Sequence, residues 1–96
     1  MDAPEKLKKA YTINVHRLGM TNFYDVEFLP RGLQQLRGAG GESQSVPPGF
    51  VATVELFKNE PGVRWTRPPH DPDITLEEFN AEAVTLALER HREAAA

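Results

Sequence analysis

Between Tyr11 and Phe28 the chain alternates apolar and polar residues with a period of two. Tyr11, Ile13 and Val15 interleave with Thr12, Asn14 and His16; after Gly19-Met20-Thr21-Asn22, Tyr24, Val26 and Phe28 interleave with Asp25 and Glu27. Such alternation turns one face of a strand to a core and the other to water. Two such runs joined by a short segment predict an antiparallel hairpin. The pattern returns with Phe50, Ala52, Val54 and Leu56 on one side and Val51, Thr53, Glu55 and Phe57 on the other. A shorter fourth strand is predicted over Val63-Arg64-Trp65-Thr66-Arg67. Pro61-Gly62 before it suits the centre of a type II turn, because Pro presets one φ and Gly accepts the positive one.

The period changes to that of a helix after Pro68-Pro69-His70-Asp71-Pro72-Asp73, a segment too rich in proline to join a ladder. Thr75-Leu76-Glu77-Glu78 is a capping box, in which the Thr hydroxyl takes the N–H three residues on and Glu78 reaches back to the N–H of Thr75. Ile74 and Phe79 flank it as a hydrophobic staple. Leu76, Phe79, Ala83, Leu86 and Ala87 then form one stripe, widened by Val84 and Leu88. Glu78, Glu82, Thr85, Glu89 and Arg92 share the opposite face.

These elements predict a single α+β domain over 1–96: an antiparallel sheet of three to four strands packed on one long C-terminal helix as a two-layer sandwich. Residues 1–10 read as a charged tail or a short frayed helix. Residues 31–49, with Gly38-Ala39-Gly40-Gly41 and Pro47-Pro48-Gly49, read as a mobile loop. One helix covers one sheet face, yet Phe23, Leu29, Val51 and Phe57 oppose the main apolar register. The expectation is therefore apolar surface on the second face that a partner, a second copy or the 31–49 loop covers.

Composition narrows the function classes. The 96 residues include no cysteine, which removes disulfides, thiolate nucleophiles and sulfur-ligated zinc. No apolar run is long enough for a membrane span and Met1-Asp2-Ala3-Pro4-Glu5-Lys6 has no secretion-signal core, so a cytoplasmic protein is expected. Net charge is -3, with residues 1–48 at +1 and 49–96 at -4. The longest basic cluster is Lys6, Lys8 and Lys9, so direct nucleic-acid binding is not expected.

Candidate chemistry is sparse. His70, Asp71 and Asp73 could form an acid/base or metal set, but nothing in the spacing completes it, and they serve the turn and the helix N-terminus. No cofactor, metal or catalytic residue is assigned. His16 and His91 are not brought near His70 by any spacing, so a small His/Asp-dependent hydrolase fits worst. Gly38-Ala39-Gly40-Gly41-Glu42-Ser43 lacks the lysine and following helix of a phosphate loop. The most suggestive cluster is Trp65 between Arg64 and Arg67, with Phe57 across the turn, since Trp and Arg are enriched at binding hot spots. Phe57, Arg64, Trp65 and Arg67 are the candidate partner-binding residues.

Thr75-Leu76-Glu77-Glu78 with Asn80, Ala83 and Leu86, arriving after a β-hairpin, resembles the strand–strand–helix end of HicB-type antitoxins. The resemblance covers only the C-terminal part of the chain. It implies neutralisation of a small RNase toxin by direct binding. The expectation is thus a non-catalytic protein-binding module: a small regulator or inhibitor docking onto a larger protein target, of the kind host cells, phages and mobile elements all encode. The alternative is a homodimeric accessory or antitoxin-like subunit.

Overall fold

The computed structural model describes residues 3–31, 49–56 and 60–95. Its elements follow in the order α1 (Ala3–Ala10), β1 (Tyr11–Arg17), β2 (Phe23–Pro30), β3 (Phe50–Glu55), β4 (Gly62–Arg67) and α2 (Leu76–Ala95). The four strands form one antiparallel sheet in the order β1-β2-β3-β4, and α2 packs across one face. This is the α+β sandwich that the periodicity predicts. The 31–49 loop falls outside the described residues except at its two ends.

The core lies between the sheet and α2. Tyr24, Val26 and Phe28 from β2 and Ala52 and Val54 from β3 meet Phe79, Ala83 and Ala87 from α2, all buried. Phe79 is the hub of an aromatic cluster, with ring centroids 5.3 Å from Phe28, 5.6 Å from Tyr11, 5.8 Å from Phe50 and 6.1 Å from Trp65. All four contacts are edge-to-face, the arrangement that ring quadrupoles favour.

The capping box forms as the sequence predicts. The Thr75 N–H donates to Glu78 Oε1 at 2.9 Å and the Glu78 N–H donates to Thr75 Oγ1 at 3.1 Å. The backbone N–H of Thr75 holds the Glu78 carboxyl below its usual range, with the charge of Lys6 adding to the effect. Ile74 and Phe79 are both buried, as a staple requires.

Three expectations are corrected, and one of the two readings of the first ten residues is selected. Ala3–Ala10 is helical, with Leu7 completely buried where α1 docks against β1 and α2. Tertiary packing supplies what so short a helix lacks alone. Gly62 is not the positive-φ residue of a type II turn; it is the first residue of β4, paired with Glu55, and Gly19 in the β1–β2 turn takes the left-handed conformation at φ 62°. On α2, Leu76 is 52% exposed although it belongs to the apolar stripe; in the first turn a helical side chain tilts toward the helix start, away from the residues that follow. Glu82, assigned to the wet face, is buried at 6% exposure.

The second sheet face carries the apolar residues expected of it within a largely polar surround. It presents Thr12, Asn14 and His16 from β1, Asp25 and Glu27 from β2, and Thr53 and Glu55 from β3, all partly or fully exposed. Among the described residues its large apolar side chains are Phe23, Leu29 and Val51. Leu29 is approached by the buried Gly49, where an added Cβ would lie 2.7 Å from Leu29 Cδ2 and from the Phe28 carbonyl oxygen. Among the described residues most of this face is polar and at least partly exposed.

Candidate functional site

The four residues nominated from sequence do not form one surface. Phe57 lies outside the described residues. Trp65 turns toward α2, stacking near Phe28 at 6.0 Å and donating its indole N–H to Asn80 Oδ1 at 2.6 Å. Arg64 and Arg67 are exposed on the opposite face, because the register pairs Arg64 with Thr53 and Arg67 with Val51. The period of two within β4 itself separates Arg64 from Trp65. Asn80, one residue beyond the Phe79 hub, is the partner that sequence reasoning missed.

The open face is organised in rows across the strands. One row runs Asn14, Glu27, Val51, Arg67 and the next His16, Asp25, Thr53, Arg64. Asn14 Nδ2 donates to Glu27 Oε1 at 3.4 Å and Thr53 Oγ1 donates to Asp25 Oδ1 at 2.8 Å. Both carboxylates on β2 thus have neighbours, whereas the guanidinium groups of Arg64 and Arg67 make no hydrogen bond or ion pair among the described residues. Beside them a cavity of about 570 Å³ opens between Phe23, Glu55, Val63 and Arg64.

The outer edges of the sheet can be read from ladder parity. The Leu18 N–H donates to the Phe23 carbonyl at 2.9 Å, and Pro30, which faces Tyr11, has no N–H to give. Hydrogen-bonded pairs in the β1–β2 ladder therefore involve the even-numbered residues of β1, since bonded and non-bonded pairs alternate. The backbone groups of Tyr11, Ile13 and Val15 point outward. The same alternation, supported by the Leu56 N–H donating to the Asn22 carbonyl at 3.0 Å, runs through β3 and leaves the N–H and C=O of Val63 and Trp65 pointing away from it.

These two edges are treated differently. On β1, Arg31 Nε donates to the Tyr11 carbonyl at 3.0 Å and Arg90 Nη2 donates to the Val15 carbonyl at 3.1 Å. On β4, neither Val63 nor Trp65 has a partner for its outward backbone groups among the described residues. An edge strand with open backbone groups is a template for another chain.

The histidines and acids nominated for chemistry occupy separate places. His91 Nδ1 shares a 2.9 Å hydrogen bond with the buried Tyr24 hydroxyl, while His16 and His70 are exposed. Asp71 accepts from the Tyr11 hydroxyl at 2.6 Å and from the Asp73 N–H at 2.8 Å, which commits it to holding the loop against β1. Burial, then the hydrogen bond to Asp71 and its charge, push the Tyr11 phenol above its usual value. No group of three or more His, Asp or Glu side chains among the described residues is placed to hold a metal ion. No helix among them is long and apolar enough to cross a membrane. Comparison with known proteins returns no matching family model, no matching curated protein and no matching solved structure.

Proposed function

We propose that this chain is a non-catalytic protein-binding module, a small regulator or inhibitor that docks onto a larger protein by taking an extended segment of it at the outer edge of β4. The single observation that carries this reading is the contrast between the arginine-capped edge of β1 and the open edge of β4. A segment added there would bond to the N–H and C=O of Val63 and Trp65, the strand-addition mode in which backbone bonds supply affinity and side chains supply specificity. Arg64 and Arg67 flank the new strand on the open face, so the matching segment is acidic.

The register shift between Val51 and Ala52 sets Thr66 as an extra residue in β4, and Pro68-Pro69 follows at once. Both features keep any added strand short. An edge-to-edge homodimer is the poorer reading. Same-face residues oppose one another in an antiparallel pair, so a two-fold axis at Arg64 sets Arg64 against its own copy. An axis at Trp65 forces the irregular Thr66 into the ladder. Like charges directly opposite destabilise a pair.

Affinity capture with tagged wild-type protein and with the Arg64→Glu/Arg67→Glu variant, followed by hydrogen exchange on the recovered complex, tests this reading. The expected result is a captured protein lost with the variant, and slowed exchange at the Val63 and Trp65 amides. Equal capture by both forms, or unchanged exchange at those amides, would exclude the β4 edge.

A further inference from the structure

β4 begins on a glycine, which leaves a gap in the open face of the sheet. The ladder sets Phe23, Glu55 and Gly62 in one row on that face and Asp25, Thr53 and Arg64 in the next. Gly62 has no side chain to fill its place. The cavity of about 570 Å³ beside β4 is accordingly lined by Phe23, Glu55, Gly62 and Arg64 together, and the Phe23 residue is 37% exposed. Arg64 and Glu55 flank the gap, and neither makes a hydrogen bond or an ion pair among the described residues.

Strand geometry decides which side chains of an added segment would meet this gap. The outward backbone groups belong to Val63 and Trp65, so in an antiparallel addition Gly62 and Arg64 stand at the non-hydrogen-bonded positions, where opposing side chains come closest. Opposing residues share a face, so the residues facing Arg64 and Gly62 are separated by one. From this arrangement we infer that the β4 edge selects a paired signature in its partner segment: a carboxylate facing Arg64 and, two residues along, a tyrosine or tryptophan facing Gly62. The inference rests on the edge-binding reading and specifies what that edge recognises.

Each half of the signature has its own cause. A guanidinium with free donors grips a carboxylate as a fork. An aromatic ring opposite a glycine covers the bare backbone and packs on the apolar group beyond it, here Phe23. A ring with a polar tip suits the site better than phenylalanine, because the Glu55 carboxylate and the Thr53 hydroxyl line the same cavity and can accept its O–H or N–H.

The surrounding charges fix which half goes where. Glu55 stands in the Gly62 row and the exposed Glu60 lies just ahead of β4, so a carboxylate facing Gly62 meets two like charges. Asp25 accepts from Thr53 and lies two strands in from the edge, Arg17 donates to the Thr21 carbonyl, and Arg67 lies beyond the register shift. A lysine or arginine facing Gly62 would reach Glu55, but it would stand beside Arg64 on the same face. A second copy fits poorly. With a two-fold axis at Val63 its Arg64 faces Gly62, yet Pro61 then faces Trp65 and has no N–H for the Trp65 carbonyl.

The test selects a displayed library of random short peptides on the immobilised full chain, as wild type and as the Arg64→Gln, Gly62→Val and Phe23→Thr variants, each checked by circular dichroism. Wild-type selections are expected to converge on Asp or Glu separated by one residue from Tyr or Trp, and the synthetic lead peptide to slow exchange at the Val63 and Trp65 amides. Replacing its acid by the matching amide, or its ring by alanine, should each weaken binding about tenfold or more. Selections on Arg64→Gln should lose the acid and keep the ring. Those on Gly62→Val should lose the ring and keep the acid, and where that variant does not fold, Phe23→Thr carries the same expectation. Peptides that slow exchange at Val63 and Trp65 without the pair, with a basic residue in place of the ring, or with the same pair on every variant overturn the signature and leave the edge standing. Peptides that bind without protecting those amides, a library that yields none, or self-association that excludes every peptide remove the edge reading and the signature with it.

Discussion

β1 and β4, the two outer strands, are alike on the inside and opposite on the outside. Each sends one aromatic ring to the same hub, Tyr11 and Trp65 both standing edge-on to Phe79. Each ring also has its polar atom satisfied by the α2 side of the molecule, Tyr11 by Asp71 in the loop before the helix and Trp65 by Asn80 within it. Outward, however, β1 has two carbonyls taken by arginines and β4 has none taken among the described residues. The packing that holds an edge strand in place and the chemistry that closes its rim are therefore separate. The inner contacts are alike on both strands, so the asymmetry of the rims is where the proposed binding role would be expressed.

The largest effect comes from removing what the two strands share. Phe79→Ala takes the hub from both and should cost about 3–5 kcal/mol, the range for a fully buried phenylalanine, read by urea denaturation. A loss below about 1 kcal/mol would mean that the two strands do not depend on a common hub.

Next come the polar handles taken singly. Asn80→Ala leaves the half-buried indole N–H of Trp65 without its acceptor, and Asp71→Ala does the same to the Tyr11 hydroxyl. Each should cost about 1–3 kcal/mol. Because both rings touch Phe79, the loss in the double variant should depart from the sum of the two; an additive loss would show that the strands are held independently.

A smaller change separates the rims. Arg31→Ala with Arg90→Ala should cost no more than about 1 kcal/mol, since both arginines are exposed, yet it uncovers the Tyr11 and Val15 carbonyls. Sedimentation velocity should then detect self-association absent from the wild type. Arg64→Glu with Arg67→Glu should leave stability within about 0.5 kcal/mol and alter binding only.

The least disruptive probe is alkaline pH, which acts on one strand alone. The Tyr11 phenol titrates above its ordinary value of 10.0 in the folded chain, chiefly because it is buried. An acid whose folded value is raised contributes stability that is complete below the unfolded value and is lost as pH rises through the folded one. The Tyr11 contribution should therefore persist below pH 10.0 and fade above it, and Tyr11→Phe should remove that component from the alkaline melting profile. Trp65 has no proton to lose in this range, so its side of the sheet provides the internal control.

Much of this architecture is legible in the amino-acid order because it rests on local periodicity. The alternation at Tyr11–Val15, Tyr24–Phe28 and Phe50–Leu56 gives the strands, and the capping box gives the start of α2 with both of its hydrogen bonds. What is not legible depends on contacts far apart in the chain. Leu7 makes the first residues a packed helix only because the sheet and α2 converge on it. The candidate site was half visible for the same reason. Arg64 and Arg67 are exposed as a binding role requires, but Trp65 is drawn inward by Phe79 and Asn80, fifteen residues beyond it in the case of the hydrogen bond. The arginines that cap β1 come from positions 31 and 90, and no pattern in either neighbourhood announces that they meet one strand.

The inward turn of Trp65 has a practical consequence. It is the only tryptophan among the 96 residues, and its backbone belongs to the open rim while its ring sits against Phe28 and Phe79. The molecule thus carries a built-in optical probe whose emission colour and intensity register the integrity of the aromatic cluster and would report the proposed segment at the rim, with no dye attached.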